Sequence, residues 1–214
     1  MRPSTASLPL TPRFSHAAWP HSHDPLIWYT HNPHDLRMAF NGAVKAVIWL
    51  RDENVHEERG RILLQQAQLF GHKPRNDLRA IARGDLAPYL PPIDSVVPRM
   101  GAAHQEYHVD NSYASKGPFV RFICGMKGAG PCFWAGALPE DMAAMIRNVR
   151  DKDGRYYQMP TTPPEGVIAD ICPQGAVIGF RSNGPGIDPQ TLLVHGSPVT
   201  AKGERLAYLI HYVL

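Results

Sequence analysis

The sequence predicts a mainly β fold with flanking helices, in the form of a small antiparallel barrel or jelly roll with N-terminal helices packed on one side. Short apolar, β-branched runs recur in the second half of the chain, and Gly and Pro punctuate nearly every gap between them. The 21 Pro and 18 Gly also favour a turn-rich fold over a helical bundle. Such barrels keep ligand sites in their mouths, where we expect the functional site.

One domain is predicted over residues 1–214, because no internal repeat or low-complexity linker divides the chain. Residues 1–35 are rich in Pro and His and predict an irregular segment that wraps or extends from the body. Residues 36–100 predict a helical support, and residues 101–214 predict the jelly-roll core.

The support region begins with a predicted strand over 43–50, an apolar and β-branched run. Helical spacing of apolar residues then predicts an amphipathic helix over 54–70, whose weak point is Gly60. A shorter helix is predicted over 76–83, with Asn76 as its N-cap. The Pro-rich residues 87–98 predict an extended connection.

The core region contains four β-type runs, at 119–125, 175–180, 191–195 and 206–213. One helix interrupts this series of predicted strands. Pro139 suits its first position, acidic residues follow directly, and Arg147 and Arg150 close it. This order of charges complements the helix dipole.

Composition excludes several classes of function. The net charge is only +3 and no stretch gathers five or six like charges, so we expect no nucleic-acid partner. We expect no membrane partner, because no apolar run approaches the roughly 18 residues of a membrane span. We expect no secretory signal, because no apolar h-region follows the early Arg2. An odd number of cysteines without a C-x-x-C motif indicates a cytoplasmic protein with reduced, mostly buried thiols.

The chemistry-bearing segment is the triplet His108-Val109-Asp110. Alternate side chains of an extended strand share a face, so the imidazole and the carboxylate are expected to project together while Val109 points away. Such a pair can bind one metal ion. A His from another strand would complete the arrangement of two His and one carboxylate that holds non-haem Fe(II).

His195 is the predicted third ligand, because strand-type residues lead into it and Gly196 and Pro198 end the run. Arg205 follows ten positions later, at the start of the last predicted strand. A reversal between them would bring Arg205 beside His195, where its guanidinium could hold a carboxylate in bidentate fashion. The alternative is a surface Arg205 paired with Glu204.

His108-x-Asp110, His195 and Arg205 resemble the ligand and co-substrate signature of the Fe(II)/2-oxoglutarate-dependent dioxygenases, over about residues 100–214. The segments AVIWLRD, YHVDN, FICGMKGAGPCFW and LLVHGSP resemble a poorly characterised bacterial branch of that superfamily. The resemblance implies a double-stranded β-helix of the jelly-roll or cupin-like type, Fe(II) as cofactor and 2-oxoglutarate as co-substrate. Ala207 departs from the pattern, since a Ser or Thr that helps bind the co-substrate often stands there.

Further side chains are candidates for the lining of the pocket. Asn111, Tyr113 and Arg121 are candidate cofactor- or substrate-binding residues, although a turn or a solvated face would also explain them. The other candidates are expected to be structural: His104 and Tyr107 as possible supports of a ligand, Phe133 and Trp134 as packing, His211 as a satisfied barrel histidine, and the N-terminal His16, His21, His23, His31 and His34 as solvated side chains.

These features together predict an oxygenase that hydroxylates a small molecule or an amino-acid or peptide substrate. Two alternatives remain open: a cupin-like metalloenzyme that does not use 2-oxoglutarate, and a non-enzymatic metal-binding or sensor module. A homodimer is left open as well. Residues 137–168 and the N-terminal segment are expected to cover the site.

Overall fold

Two β-sheets face each other in the computed structural model. It describes residues 24–51, 54–71, 74–93, 95–100, 107–111, 117–147, 156–198 and 205–214. The strands are β1 (Ile27–Thr30), β2 (Ala46–Trp49), β3 (Val96–Met100), β4 (His108–Asp110), β5 (Phe119–Lys127), β6 (Cys132–Ala135), β7 (Tyr156–Gln158), β8 (Ile168–Ile171), β9 (Val177–Arg181), β10 (His195–Gly196) and β11 (Leu206–Val213). The helices are α1 (Met38–Asn41), α2 (Asn54–Phe70), α3 (Arg75–Leu86) and α4 (Glu140–Arg147), with 3-10 helices at Pro33–Arg37 and Pro189–Thr191.

The larger sheet has six strands in the order β1-β2-β9-β5-β11-β3, and the smaller has five in the order β7-β4-β10-β6-β8. Strands β1 and β2 are parallel, and the other described pairs are antiparallel. Strands that follow one another along the chain therefore alternate between the two sheets through much of the second half. The predicted strand-rich class with flanking helices is confirmed.

The larger sheet is buried on both faces. Val120, Phe122 and Cys124 of β5 lie in the cluster that contains α2 and α3 residues, so this face is covered by helices. Ile123 belongs instead to a cluster shared with Phe133 of the smaller sheet. Because side chains alternate along a strand, the odd-numbered residues of β5 point into the space between the two sheets. A third cluster covers the outer face of the smaller sheet beside α4.

Several predicted elements agree with the structure. The helix over 54–70 and the strand over 206–213 have the predicted bounds. The predicted strands at 43–50, 119–125 and 175–180 correspond to β2, β5 and β9, and the helix after Pro139 is α4. Arg150, predicted to close α4, lies outside the described residues.

The predicted strand over 191–195 is wrong. Residues Pro189–Thr191 form a 3-10 helix, which Asp188 caps by accepting a hydrogen bond from the Gln190 amide. Leu192, Leu193 and Val194 are buried without joining a strand, and β10 begins only at His195. An apolar run of this length marks burial but does not specify a ladder of hydrogen bonds.

Other local predictions also fail. Helix α3 follows Pro74 and has no side-chain cap, so Asn76 lies inside its first turn and is not the N-cap. Strand β3 begins within the predicted connection 87–98, and β1 lies within the segment predicted to be irregular. Both strands add to an edge of the larger sheet, and long-range pairing of this kind leaves little mark on local sequence. No helix in the described ranges has the length and apolarity to cross a membrane.

Candidate metal centre

Strand pairing brings His108, Asp110 and His195 to one point of the smaller sheet. His108 and Asp110 share a face of β4 because one residue separates them. His195 is the direct antiparallel partner of His108, and their ring centroids are 4.4 Å apart. The predicted grouping of these side chains is therefore present, although it comes from a two-residue strand instead of the longer one predicted.

The donor atoms of the three side chains all lie within 4.8 Å of one another. Nε2 of His108 is 3.7 Å from Oδ1 of Asp110, and Nε2 of His195 is 3.7 Å from Oδ2. Two imidazole nitrogens and one carboxylate oxygen at this spacing suit a divalent transition metal. The donor set thus fits the metal that the sequence predicts.

Local contacts hold His195 in the form that binds metal. Its Nδ1 lies 3.3 Å from the Leu193 carbonyl oxygen, which favours the tautomer with the proton on Nδ1 and a lone pair on Nε2. Burial lowers the pKa of His195 well below its usual value, and the charges of His108 and Arg121 lower it further. The Phe180 ring, with its centroid 4.4 Å away, packs against the imidazole. A neutral, oriented ligand results.

Asp110 is buried, with 3 % of its surface exposed. Its Oδ2 lies 2.6 Å from Nη1 of Arg121 in the opposite sheet, yet this oxygen accepts no hydrogen bond from the described residues. The contact is thus an ion pair without hydrogen-bond alignment. A buried carboxylate oxygen left in this state costs free energy unless a further cation meets it, which supports a metal at this point.

Asn183, which the sequence analysis did not single out, fixes the backbone at Asp110. Its amide donates to the Asp110 carbonyl oxygen over 2.6 Å. Its side-chain Nδ2 donates to Oδ1 of Asn111 over 3.3 Å and to the Ile146 carbonyl oxygen over 3.2 Å. The only local signal is a pair of polar residues, Ser182 and Asn183, after a buried strand. The predicted pocket residue Asn111 is itself buried and engaged in this network.

The predicted antiparallel return of Arg205 beside the His195 strand is wrong: the chain crosses to the other sheet after β10, so Arg205 directly precedes β11 in the larger sheet while His195 lies in the smaller one. Arg205 is nevertheless buried, with 6 % of its surface exposed. Its Nε donates to the Ala129 carbonyl oxygen over 3.4 Å, and no Asp or Glu of the described residues lies within ion-pair distance of it. Burial lowers its pKa, and nearby Arg99 acts in the same direction. Glu204, the alternative partner, lies outside the described residues. A desolvated guanidinium in this position favours an anionic ligand.

The remaining predicted residues fall into two groups. Phe133 and Trp134 are buried packing residues, as expected, and Tyr107 packs on Trp134 with ring centroids 5.2 Å apart. His211 accepts a hydrogen bond from Nε of Arg121 over 2.8 Å, so it is satisfied, although its side chain is exposed. The residues outside the described part of the chain are His16, His21, His23, His104 and Tyr113.

Comparisons with known proteins add little to this geometry. Neither a family model nor a curated protein matches the chain. Among solved structures, it is similar to a variant of the iron and alpha-ketoglutarate-dependent endoperoxidase NvfI. The two share 9 % sequence identity with a TM-score of 0.38, over 78 % of this chain and 77 % of that chain. The interpretation of the site therefore depends on its own residues.

Proposed function

We propose that this chain is a non-haem Fe(II)- and 2-oxoglutarate-dependent oxygenase that acts on a small molecule or on an amino-acid or peptide substrate. The observation that carries the proposal is the convergence of His108, Asp110 and His195 on one point. Two His and one carboxylate leave other coordination positions of an octahedral metal open, as oxygen chemistry requires.

Arg205 supports 2-oxoglutarate as the co-substrate. A dicarboxylate that chelates the metal through its 2-oxo acid end needs a cationic partner for its other carboxylate. Arg205 is a buried cation without a carboxylate partner among the described residues. A guanidinium binds a carboxylate through two parallel hydrogen bonds, so it can hold this end without the hydroxyl that Ala207 lacks.

Iron bound here would couple decarboxylation of 2-oxoglutarate by O2, which gives succinate and CO2, to insertion of the second oxygen atom into a substrate C–H bond. The residues of the chain supply position and environment. Burial favours the neutral form of His195, and the contact of its Nδ1 with the Leu193 carbonyl oxygen orients the ring. Arg121 and Asn183 hold Asp110 from two sides, and Phe180 excludes water beside His195.

A double-stranded β-helix is part of the same proposal. Strands β3, β5, β9 and β11 belong to the larger sheet, while β4, β6, β8 and β10 belong to the smaller one. These eight strands form two facing antiparallel sheets of four, and the chain crosses between the sheets at every step except from β6 to β8, as a jelly roll requires. The ligands would then lie inside its mouth.

Ala207 favours one second candidate, a cupin-like metalloenzyme that uses the same three ligands but not 2-oxoglutarate. In that case Arg205 would bind the substrate or stabilise the fold. The two candidates differ in whether 2-oxoglutarate binds the metal-loaded protein.

The test combines binding and turnover. We expect Mn(II) to raise the Tm, 2-oxoglutarate to raise it further only with metal present, and Fe(II) with O2 to yield succinate. Asp110→Ala should weaken Mn(II) binding at least about hundredfold, because it removes a ligand. Arg205→Gln should keep metal binding and raise the KM for 2-oxoglutarate about ten- to hundredfold.

Asp77→Ala is the matched control, since Asp77 is an exposed carboxylate on α3. It should behave like the parent protein in every assay. A parent protein that binds no divalent metal would disprove the proposal. Metal binding without any effect of 2-oxoglutarate would instead favour the second candidate.

A further inference from the structure

Two arginines, Arg99 and Arg121, project from the inner face of the larger sheet and are called the basic wall here; Arg121 contacts Asp110 of the candidate metal centre. Strand β11 lies between β3 and β5 in this sheet. His211 of β11 is the direct partner of Arg121 of β5, and Ala207 of β11 is the partner of Arg99 of β3. Arg121 shares a face of β5 with Ile123, and Arg99 shares a face of β3 with Val97, because residues two apart in a strand point the same way. Ile123 belongs to the cluster between the two sheets, and Val97 packs against that cluster.

The basic wall has unused hydrogen-bond donors. Nε of Arg121 donates a hydrogen bond to His211, and its Nη1 forms the ion pair with Asp110, whereas its Nη2 donates to no described residue. The side chain of Arg99 is exposed and makes neither a hydrogen bond nor an ion pair within the described part of the chain. The wall therefore offers at least one full guanidinium edge and one further N–H group to a ligand.

Charge is also out of balance at this end of the barrel. Asp110 is the one carboxylate that the described residues place within ion-pair distance of Arg99, Arg121 or Arg205. A divalent metal adds two positive charges, and 2-oxoglutarate supplies two negative ones, which leaves an excess of two positive charges. Arg121 and Arg205 are largely withdrawn from water while Arg99 is exposed, so a neutral substrate would leave the buried part of that excess uncompensated.

We propose that the substrate of this site carries a carboxylate, which Arg99 and Nη2 of Arg121 bind. This inference rests on the proposed function and narrows its substrate class to small carboxylic acids, free amino acids included. Planar guanidinium groups match a carboxylate in geometry as well as in charge. The acid is thus held beside Asp110, where its neighbouring carbon atoms lie next to the metal centre.

The test uses small acids together with their neutral amides. With Mn(II) and saturating 2-oxoglutarate present, we expect acetate, benzoate or phenylacetate to raise the Tm, and acetamide, benzamide and phenylacetamide to have no effect. Saturating 2-oxoglutarate keeps the acids from Arg205. Methyl phosphate is measured in parallel.

Arg99→Gln provides the decisive variant, because Arg99 is exposed and touches no metal ligand. We expect it to weaken the binding of the responsive acid about tenfold or more while 2-oxoglutarate still raises the Tm. Arg79→Gln is the matched control, since it removes the same charge from an exposed position of α3 and should bind the acid like the parent.

Equal responses to acids and amides would overturn the inference, as would a response to methyl phosphate alone or an unchanged acid affinity in Arg99→Gln. These outcomes leave the proposed function intact if 2-oxoglutarate still raises the Tm. If 2-oxoglutarate has no effect, the proposed function fails, and the same acids measured with Mn(II) alone decide whether the basic wall binds carboxylates.

Discussion

At the scale of single residues, Asn183 connects three separate pieces of chain at the candidate metal centre. Its backbone amide bonds to Asp110, and its side chain bonds to Asn111 and to the carbonyl oxygen of Ile146 at the end of α4. A group that bonds the residues beside a ligand sets the ligand's orientation, and such groups affect metal affinity nearly as much as the ligands do.

Asn183→Ala keeps the backbone bond to Asp110 but should still weaken Mn(II) binding about tenfold or more, because Asn111, the residue next to the ligand, is no longer tied to α4 through the Asn183 side chain. Titration calorimetry would measure this change. The neighbouring Ser182→Ala is the control: Oγ of Ser182 is also buried but accepts a hydrogen bond from the Phe119 amide, so its loss should lower stability without changing metal affinity. Equal metal affinities in the two variants would contradict the role given to Asn183.

The residue scale also separates what the sequence could predict from what it could not. His108 and Asp110 were predictable because the two-residue repeat of a strand is local. Asn183 lies 72 residues from Asn111, and Arg121 lies 90 residues from His211. Pairs at such separations are created by the folding of the sheets, and a single sequence carries no local pattern for them.

At the scale of elements, Gly60 shows how helix α2 lies on the larger sheet. A Cβ atom at this position would be 2.9 Å from the backbone carbon and oxygen atoms of Met126 in β5. The glycine predicted to weaken the helix thus permits its backbone to approach the strand closely. Gly84 of α3 differs, since a Cβ atom there would meet nothing within 4 Å.

The two glycines should respond oppositely to alanine. Gly60→Ala should destabilise the protein by about 1–3 kcal/mol, because the strand backbone cannot move away cheaply. Gly84→Ala should stabilise it by up to about 1 kcal/mol, because alanine loses less conformational entropy in a helix. Urea unfolding of both variants measures the difference. A stabilised Gly60→Ala protein would show that α2 does not lie this close to β5.

Element prediction succeeded where the pattern was long and failed where pairing alone defines the strand. The run Leu206–Val213 and the helix Asn54–Phe70 have enough residues to reveal their period. Strands β7 and β10 have three and two residues, too few for any periodicity. The site therefore depends on the elements that were hardest to predict.

At the scale of the whole molecule, a buried histidine in the helical layer makes the stability of the protein depend on pH. His56 of α2 is 3 % exposed, its Nε2 lies 3.5 Å from Oδ2 of Asp85 in α3, and its Nδ1 has no hydrogen-bond partner in the described part of the chain. Burial lowers the pKa of His56 to about 4, and the charge of Arg51 contributes in the same direction. In the unfolded chain a histidine has a pKa of about 6.5.

Because the folded-state pKa is the lower one, protonation favours the unfolded state. The contribution of neutral His56 to the free energy of unfolding is fully present above about pH 6.5. It is lost as the pH falls from about 6.5 towards 4, and the total loss is roughly 3 kcal/mol. Urea unfolding at pH 7.5, 6 and 5 should thus show that the free energy of unfolding falls more steeply with decreasing pH in the parent than in His56→Gln. His34→Gln, at an exposed position, should follow the parent; identical slopes for all three proteins would exclude this role for His56.

The direct pairing of His108 with His195 has a consequence for how the chain holds together. The two residues are 87 positions apart in the sequence (195 minus 108), so an unfolded chain rarely brings them within reach of one ion. Metal affinity is then mostly a property of the native state, and part of its free energy is folding free energy. Under the proposed function, a chelator would lower the stability of the metal-loaded protein, because it would withdraw the ion that joins the two ends of this 87-residue loop.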